Sequence, residues 1–307
     1  MTPDLLDLQR KYDTARAELN NFHEIFAHVI PTSGEIPRLP GIDIYGQSIP
    51  LNGLSGGDHI VFVDFNHRYD LTARIDRARR EGQDAVADRL ERNRQRAGIL
   101  LADVSGHQLT DALMAAMLHQ AFLLGVEYEL RDHGEVTTEL FEHLNTRFYQ
   151  SSSQFKFITM IYGEITTSGA FRFLSAAHPQ PIVFSREWGR LVPIGNDRTT
   201  HFPPIGTMPS KKNWEARGGR NPHHFKEDYS ISELNLMGWG DILLLFSDGL
   251  SEHATAADEF YFPERLTEVL RRNRSLGARE IFERIVEDIR QFAPPRDDLS
   301  LIVIKKT

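Results

Sequence analysis

Three apolar stretches of this chain lead straight into or out of aspartate. ILLADVSG carries Asp103, ILLLFSDG carries Asp248, and Asp297 opens DDLSLIVI. A fourth, Asp58, follows the glycine pair of SGGD and opens HIVFVDF. Carboxylates at the ends of buried strands are costly unless something neutralises them. Taken singly, each is ordinary turn or cap chemistry, since Asp-Gly and Ser-Asp-Gly are common turn sequences. Several converging on one end of a sheet would repel one another, and a divalent cation relieves that repulsion. All-oxygen ligation points to Mg²⁺ or Mn²⁺ rather than zinc.

The elements around these aspartates follow from periodicity. Leu5, Leu8, Tyr12, Ala15, Leu19, Phe22, Phe26 and Val29 alternate three and four residues apart, a heptad seam that predicts one helix over 4–30, stopped by Pro31. PTSGEIPRLPG is a linker rich in Pro and Gly. From residue 41, IDIYGQSI and HIVFVDF read as strands. Residues 69–96 are highly charged and read as a solvated helix. AGILLADVSGH is a buried strand and turn, followed by an apolar helix at 110–125 and a second at about 134–150. KFITMIYGEIT, AFRFLSAAH and QPIVFSRE predict successive antiparallel strands, with hairpin turns at Thr167-Ser168-Gly169 and at Pro179. Residues 207–228 form a polar, basic loop. GDILLLFSDGLSEH is a strand entering an acidic turn, 263–292 hold two helices, and DDLSLIVIKK is the last strand. Helices grouped between runs of antiparallel strands predict an α+β fold, with helices outside a sandwich. The expected division is a helix over 1–30, a linker over 31–40 and one domain over 41–307 with the charged insertion.

Composition removes several alternatives. Cysteine is absent from the 307 residues, which excludes disulfides, thiolate metal sites and cysteine nucleophiles. The formal charge of −8 argues against nucleic acid. No apolar run approaches the ~20 residues that span a bilayer. MTPDLLDLQRKYD lacks the apolar core of a signal peptide. The expectation is a cytoplasmic protein without a membrane partner.

SGGD, LADVSGH, FITMIYG, AAHPQP, PPIG, LLLFSDGLSE and DDLSLIVI occur in an order and spacing that resemble the SpoIIE-like branch of the metal-dependent 2C-type (PPM) protein phosphatases. The resemblance covers roughly residues 40–305. It implies a β-sandwich of two antiparallel sheets flanked by helices, two Mn²⁺ or Mg²⁺ ions, and hydrolysis of phosphoserine or phosphothreonine. Asp103 matches the carboxylate bridging both metals and the Val104 carbonyl a second-metal ligand. Asp58 matches the first-strand acid near the second metal. Asp248 and Asp297 match first-metal ligands, with Asp298 the neighbour most easily confused with Asp297. The implied chemistry is in-line attack on phosphorus by water activated between two cations, without a covalent phosphoenzyme. The implied partner is a phosphorylated regulatory protein, a STAS-type anti-sigma antagonist.

The chain departs from the family pattern in places. Gln108 replaces the usual glycine after DVSGH, and Val61 stands where an acid is usual, leaving Asp64 as a substitute or as a plain strand-end residue. His107 is a candidate general acid, weighed against a turn histidine. His178 of AAHP reads as structural support. These departures leave a second reading open, a catalytically silent scaffold that binds a phosphorylated partner. The seam predicts a homodimer through the N-terminal helix, the alternative being packing on its own domain. The arginines of 69–96 are a solvated face or a docking flap.

Overall fold

The computed structural model describes all residues except 1–2, 30–33, 52–55, 106–108, 152–155, 193, 196–198, 212–223 and 236–237. It divides into two compact units, residues 1–32 and 33–307. The first is α1 (Pro3–Val29), the helix the seam predicts. Its Leu5, Leu8, Tyr12 and Leu19 are exposed. The side chains of Phe22, Phe26 and Val29 lie outside the described residues.

The second unit opens with β1 (Ile42–Ile49), β2 (His59–Asp64), α2 (Phe65–Arg68), α3 (Leu71–Arg80), α4 (Asp84–Arg92) and β3 (Arg96–Val104). Two long helices follow, α5 (Leu109–Asp132) and α6 (Thr138–Ser151), then β4 (Ile158–Thr166), β5 (Ala170–Ala176), β6 (Ile182–Ser185), β7 (Arg190–Val192), β8 (Ser232–Asn235) and β9 (Ile242–Phe246). The chain closes with α7 (Asp248–Ser251), α8 (Glu264–Asn273), α9 (Ala278–Phe292) and β10 (Leu299–Lys306). The strands form two five-stranded antiparallel sheets, ordered β1-β10-β9-β6-β7 and β2-β3-β4-β5-β8.

Both faces of each sheet are covered, so the central strands are continuously apolar rather than alternating. Ile60, Phe62, Ile99, Leu101, Leu243, Leu245, Ile302 and Ile304 fill the space between the sheets. The opposite faces of the same strands, Val61, Val63, Leu100 and Ala102, pack on α5 and α6 through Leu118, Phe122, Val126 and Phe141. Leu244, Phe246, Leu301 and Val303 pack likewise on α8 and α9. This is the α+β sandwich the sequence predicts.

Two local expectations fail for physical reasons. Residues 69–96 are not one solvated helix. They form α3 and α4, and Leu71, Ile75, Ala78, Ala87 and Leu90 are buried in the core beside α5. Arginines dilute the mean hydropathy of this stretch, but the larger apolar residues of each helix fall on the face turned to the core. The hairpin at Pro179 is also absent. β5 pairs with β4 and β8, while β6 pairs with β9 and β7, so residues 177–181 carry the chain from one sheet to the other. Ala177 adopts a positive φ of 52° at that crossing. Apolar strand pattern reports burial and not the identity of the partner strand.

The segment entering the second unit lies along the free edge of β2. A side chain at Gly34 would come 3.0 Å from the Phe62 carbonyl oxygen, and the Arg38 amide donates to the Asp64 carboxylate at 3.3 Å. The strand that starts beside Asp58 is therefore flanked by residues 34–38.

Truncating Leu90, which is 1% exposed, tests the packing of the charged insertion. Leu90→Ala should destabilise the protein by about 2–4 kcal/mol in denaturant unfolding. A solvated decoration would lose less than about 0.5 kcal/mol.

Candidate metal centre

Antiparallel pairing decides where the aspartates meet. The start of β2 lies beside the end of β3, with His59 opposite Ala102. The end of β9 lies beside the start of β10, with Phe246 opposite Leu301. Asp58 and Asp103 therefore share one end of one sheet, and Asp248, Asp297 and Asp298 share one end of the other. Cross-sheet hydrogen bonds make these the same end of the sandwich. Ser247 Oγ donates to Asp58 Oδ2 at 2.6 Å, and the Gly57 amide donates to Asp298 Oδ2 at 2.7 Å.

The glycines of SGGD and SDG are what allow this approach. A Cβ at Gly56 would lie 1.9 Å from Asp298 Oδ2, and one at Gly249 would lie 1.9 Å from the Asp298 carbonyl oxygen. Both backbones close on Asp298, which is 4% exposed. Its carboxylate also accepts the Leu51 amide at 2.7 Å. Asp298 thus ties the segment before β2 to the start of β10. Asp297 is exposed, and its carboxylate accepts the Asp298 amide at 2.8 Å. The two neighbours have different work: one is consumed by backbone amides, the other faces outward.

The end is electrostatically strained. Burial first, then the charges of Asp248, Asp297, Asp298 and Asp111, push the Asp103 carboxyl up to about 7. Burial and Asp103 hold Asp58 well above the usual carboxylate range, against the hydrogen bond from Ser247. Asp248 is raised by burial and by Asp297. These are carboxylates lacking positive charge. The Val104 amide donates to the Gly57 carbonyl at 3.2 Å, holding the turn after Asp103 against SGGD.

The residues fit a hard divalent cation in chemistry: the donors are oxygen only, and several are buried and mutually repelling. As they stand, no three carboxylates or imidazoles among the described residues are grouped to hold an ion. A cation would have to draw the side chains together.

The other sequence candidates fall elsewhere. Asp64 sits at the far end of β2 from Asp58, where it caps α2 by accepting the Asn66 and His67 amides, so it does not join the acidic end. His178 is buried, its Nδ1 2.9 Å from Thr159 Oγ1, and burial lowers it to about 3. It is a neutral structural group beside Thr159, which pairs with Asp103 in the sheet. His107 and Gln108 lie outside the described residues.

Several supporting residues were not singled out in the sequence. Ser247 links Asp58 to β10, its Oγ also accepting the Ser300 amide at 3.0 Å. Behind Asp58, His59 Nε2 lies 2.8 Å from His119 Nδ1, joining β2 to α5. Burial lowers both imidazoles to about 4, so the pair is neutral at physiological pH. The fully buried Asp111 of α5 is paired with Lys156, which precedes β4. Only Ser247 carried a sequence signal, its place in SDG. The others depend on which helix covers which strand.

A protein-family model described as Stage II sporulation protein E (SpoIIE) matches residues 93–307, more than half of the chain. Among solved structures, the SiaA PP2C domain of Pseudomonas aeruginosa is 15% identical with a TM-score of 0.60, covering 99% of both chains. The RsbU and RsbW domains of Rv1364c from Mycobacterium tuberculosis are 18% identical with a TM-score of 0.58, covering 88% of this chain and 61% of that one. This chain thus spans less than two thirds of that structure. RsbX in complex with magnesium is 14% identical with a TM-score of 0.52, covering 89% of this chain and 99% of that one. At these identities the likeness is one of fold. A search of curated proteins found no match. The matched segment contains Asp103, Asp248 and Asp297 within the expected sandwich, and the chain belongs to the SpoIIE family of PPM-type serine/threonine phosphatases.

Proposed function

We propose that this chain is a metal-dependent protein phosphatase that hydrolyses phosphoserine or phosphothreonine on a regulatory protein, a STAS-type anti-sigma antagonist of a partner-switching pathway. The observation that carries the reading is the convergence of Asp58, Asp103, Asp248 and Asp297 on one end of the sandwich, with Asp103 pushed up to about 7. Asp103 would hold both of two Mn²⁺ or Mg²⁺ ions, with Asp248 and Asp297 holding the first and Asp58 and the Val104 carbonyl the second. Bound there, the cations would supply positive charge for the phosphoryl oxygens and an activated water near neutral pH. Asp298 and Ser247 are positioning residues, fixing Asp58 and the two sheet ends. His107 is the candidate proton donor to the leaving oxygen.

The RsbU and RsbW domains in one related structure favour a partner-switching substrate. Magnesium in RsbX favours the metal requirement. Among the described residues, no helix is long and apolar enough to cross a membrane, in keeping with cytoplasmic action.

Activity should require millimolar Mn²⁺ or Mg²⁺ and vanish in EDTA, measured on p-nitrophenyl phosphate and on a phosphorylated antagonist. Asp103→Ala should lose about 10³-fold or more, and more than Asp58→Ala, because it removes the ligand shared by both ions. His107→Ala should lower the rate modestly and leave the metal requirement intact. Full activity in chelator would contradict the two-metal reading. Inactivity with every metal would favour the silent scaffold.

The exposed stripe Leu5, Leu8, Tyr12, Leu19 supports a parallel coiled-coil dimer through α1. The edge contact of residues 34–38 with β2 supports coupling of that dimer to Asp58. Deleting residues 1–30 should give a folded monomer with altered activity, against a dimer for the full chain, in sedimentation velocity. Two monomers would rule out the dimer.

A further inference from the structure

The end of the sandwich opposite the aspartates carries the two most exposed large apolar side chains described in residues 33–307. Trp188 is 61% exposed at the tip of the β6–β7 turn, and Trp239 is 69% exposed in the turn before β9. The turns are neighbours: the Arg186 amide donates to Asp241 Oδ1 at 2.8 Å, and a Cβ at Gly240 would lie 2.3 Å from Arg186 Cδ. Trp188 is two residues further along the same turn.

Each indole is accompanied by arginine. The Arg186 guanidinium lies 4.1 Å from the Trp239 ring centroid, and that of Arg190 lies 5.5 Å from the Trp188 ring. Arg271 of α8 donates through Nε to the Gly189 carbonyl at 2.9 Å, placing a third guanidinium beside the Trp188 turn. Arg274 donates to the Arg271 carbonyl at 3.0 Å. Arg190, Arg271 and Arg274 are exposed. The acids here include Glu187, exposed on the same turn, and Asp241, buried and occupied by the Arg186 and Gly238 amides. Asp43 and Glu280, which accept the Ala278 and Gly277 amides, lie beside Lys305, whose ammonium donates to the Arg274 carbonyl. The patch is basic on a chain of net charge −8.

We propose that this pole is a peripheral membrane-binding surface, Trp188 and Trp239 entering the headgroup layer of an anionic bilayer while Arg186, Arg190, Arg271 and Arg274 meet lipid phosphates. Indoles favour that layer, where an apolar ring and a polar N–H are both accommodated. Each basic residue near an anionic surface adds about 1 kcal/mol. A protein partner would need pockets shaped for two turn-tip indoles, whereas a headgroup layer takes them singly. The acidic remainder of the chain is repelled by the same surface, so attachment is oriented. Asp241 and Asp248 are separated by little more than the length of β9, about 20 Å at ~3.3 Å per residue. The aspartates would then face away from the lipid, open to a soluble partner. This inference is independent of the phosphatase reading, and it revises the expectation of no membrane partner, which weighed only spanning segments.

Full-length protein would be sedimented with phosphatidylcholine vesicles, with and without a quarter of phosphatidylglycerol. In a Trp214→Phe background, indole emission reports only Trp188 and Trp239, the other two of the chain's three tryptophans. The expected result is binding to the anionic vesicles alone, a blue shift of emission, and release by salt. Trp188→Ala with Trp239→Ala should weaken binding about tenfold or more, and Arg190→Gln with Arg271→Gln by a similar factor, while phosphatase activity on a soluble substrate is unchanged. Failure to bind anionic vesicles overturns the proposal and leaves the patch to an acidic protein. Binding that survives the tryptophan substitutions, or binding of the parent protein without a blue shift, also overturns it. A circular dichroism melt of each variant identifies a folding defect, in which case Trp188→Leu and Trp239→Leu, which keep apolar bulk and lose the indole, take its place.

Discussion

The repulsion among carboxylates at one end of the sandwich is the constraint on which the rest of this structure depends. Antiparallel pairing of β2 with β3 and of β9 with β10 brings Asp58, Asp103, Asp248, Asp297 and Asp298 together, and burial removes the water that would screen them. The sign of the consequence is definite. A carboxyl raised in the folded state favours folding when protonated, so without a cation the contribution of Asp103 is best below its unfolded value near 4 and is lost as pH rises to about 7. The protein carries this cost at neutral pH and offsets it elsewhere, with three apolar layers and with Asp298, whose charge is spread over two backbone amides.

The most legible parts of the sequence were those where local pattern and global position coincide. Asp58, Asp103, Asp248 and Asp297 could be named because each adjoins an apolar run whose end is fixed by the run itself. Asp64 adjoins one too, but at the opposite end of β2, and the ambiguity dissolves once strand direction is known. The Pro179 hairpin failed because a strand pattern does not say whether the next strand joins the same sheet. The insertion at 69–96 misled because long arginine side chains lower mean hydropathy without abolishing an apolar face, here Leu71, Ile75, Ala78, Ala87 and Leu90. The His59–His119 contact needs the placement of α5 over β2, which no residue near either histidine encodes.

Helix α6 adds a second level of organisation around the acidic end. Asn145 holds the Gly206 amide, the Met208 carbonyl and the Ser210 hydroxyl, while Glu142 is paired with Lys226 and accepts the Tyr229 amide. Both arms of the polar loop 207–228 are thereby fixed to one helix, and Ser210 bridges Lys226 at its neck. Ile205, just before that neck, bridges Ile158 beside the end of β3. The loop thus emerges next to the strand end bearing Asp103. On the other side, residues 34–38 flank β2 and end near Asp64. The loop borders the acidic end, whereas residues 34–38 lie along the far half of β2, at Phe62 and Asp64.

The central claim is that this acidic end takes up divalent cations. Calorimetric titration of the metal-free protein with Mn²⁺, in buffers of differing ionisation enthalpy at about pH 6.5 and about pH 8, tests it most directly. With Asp103 pushed up to about 7, the account predicts saturable uptake of two ions per chain, with more protons released at the lower pH because the Asp103 carboxyl must ionise to bind. Asp103→Asn should abolish most of the uptake and the difference in proton release between the two pH values. Absence of saturable binding, or binding unchanged in Asp103→Asn, would contradict the account.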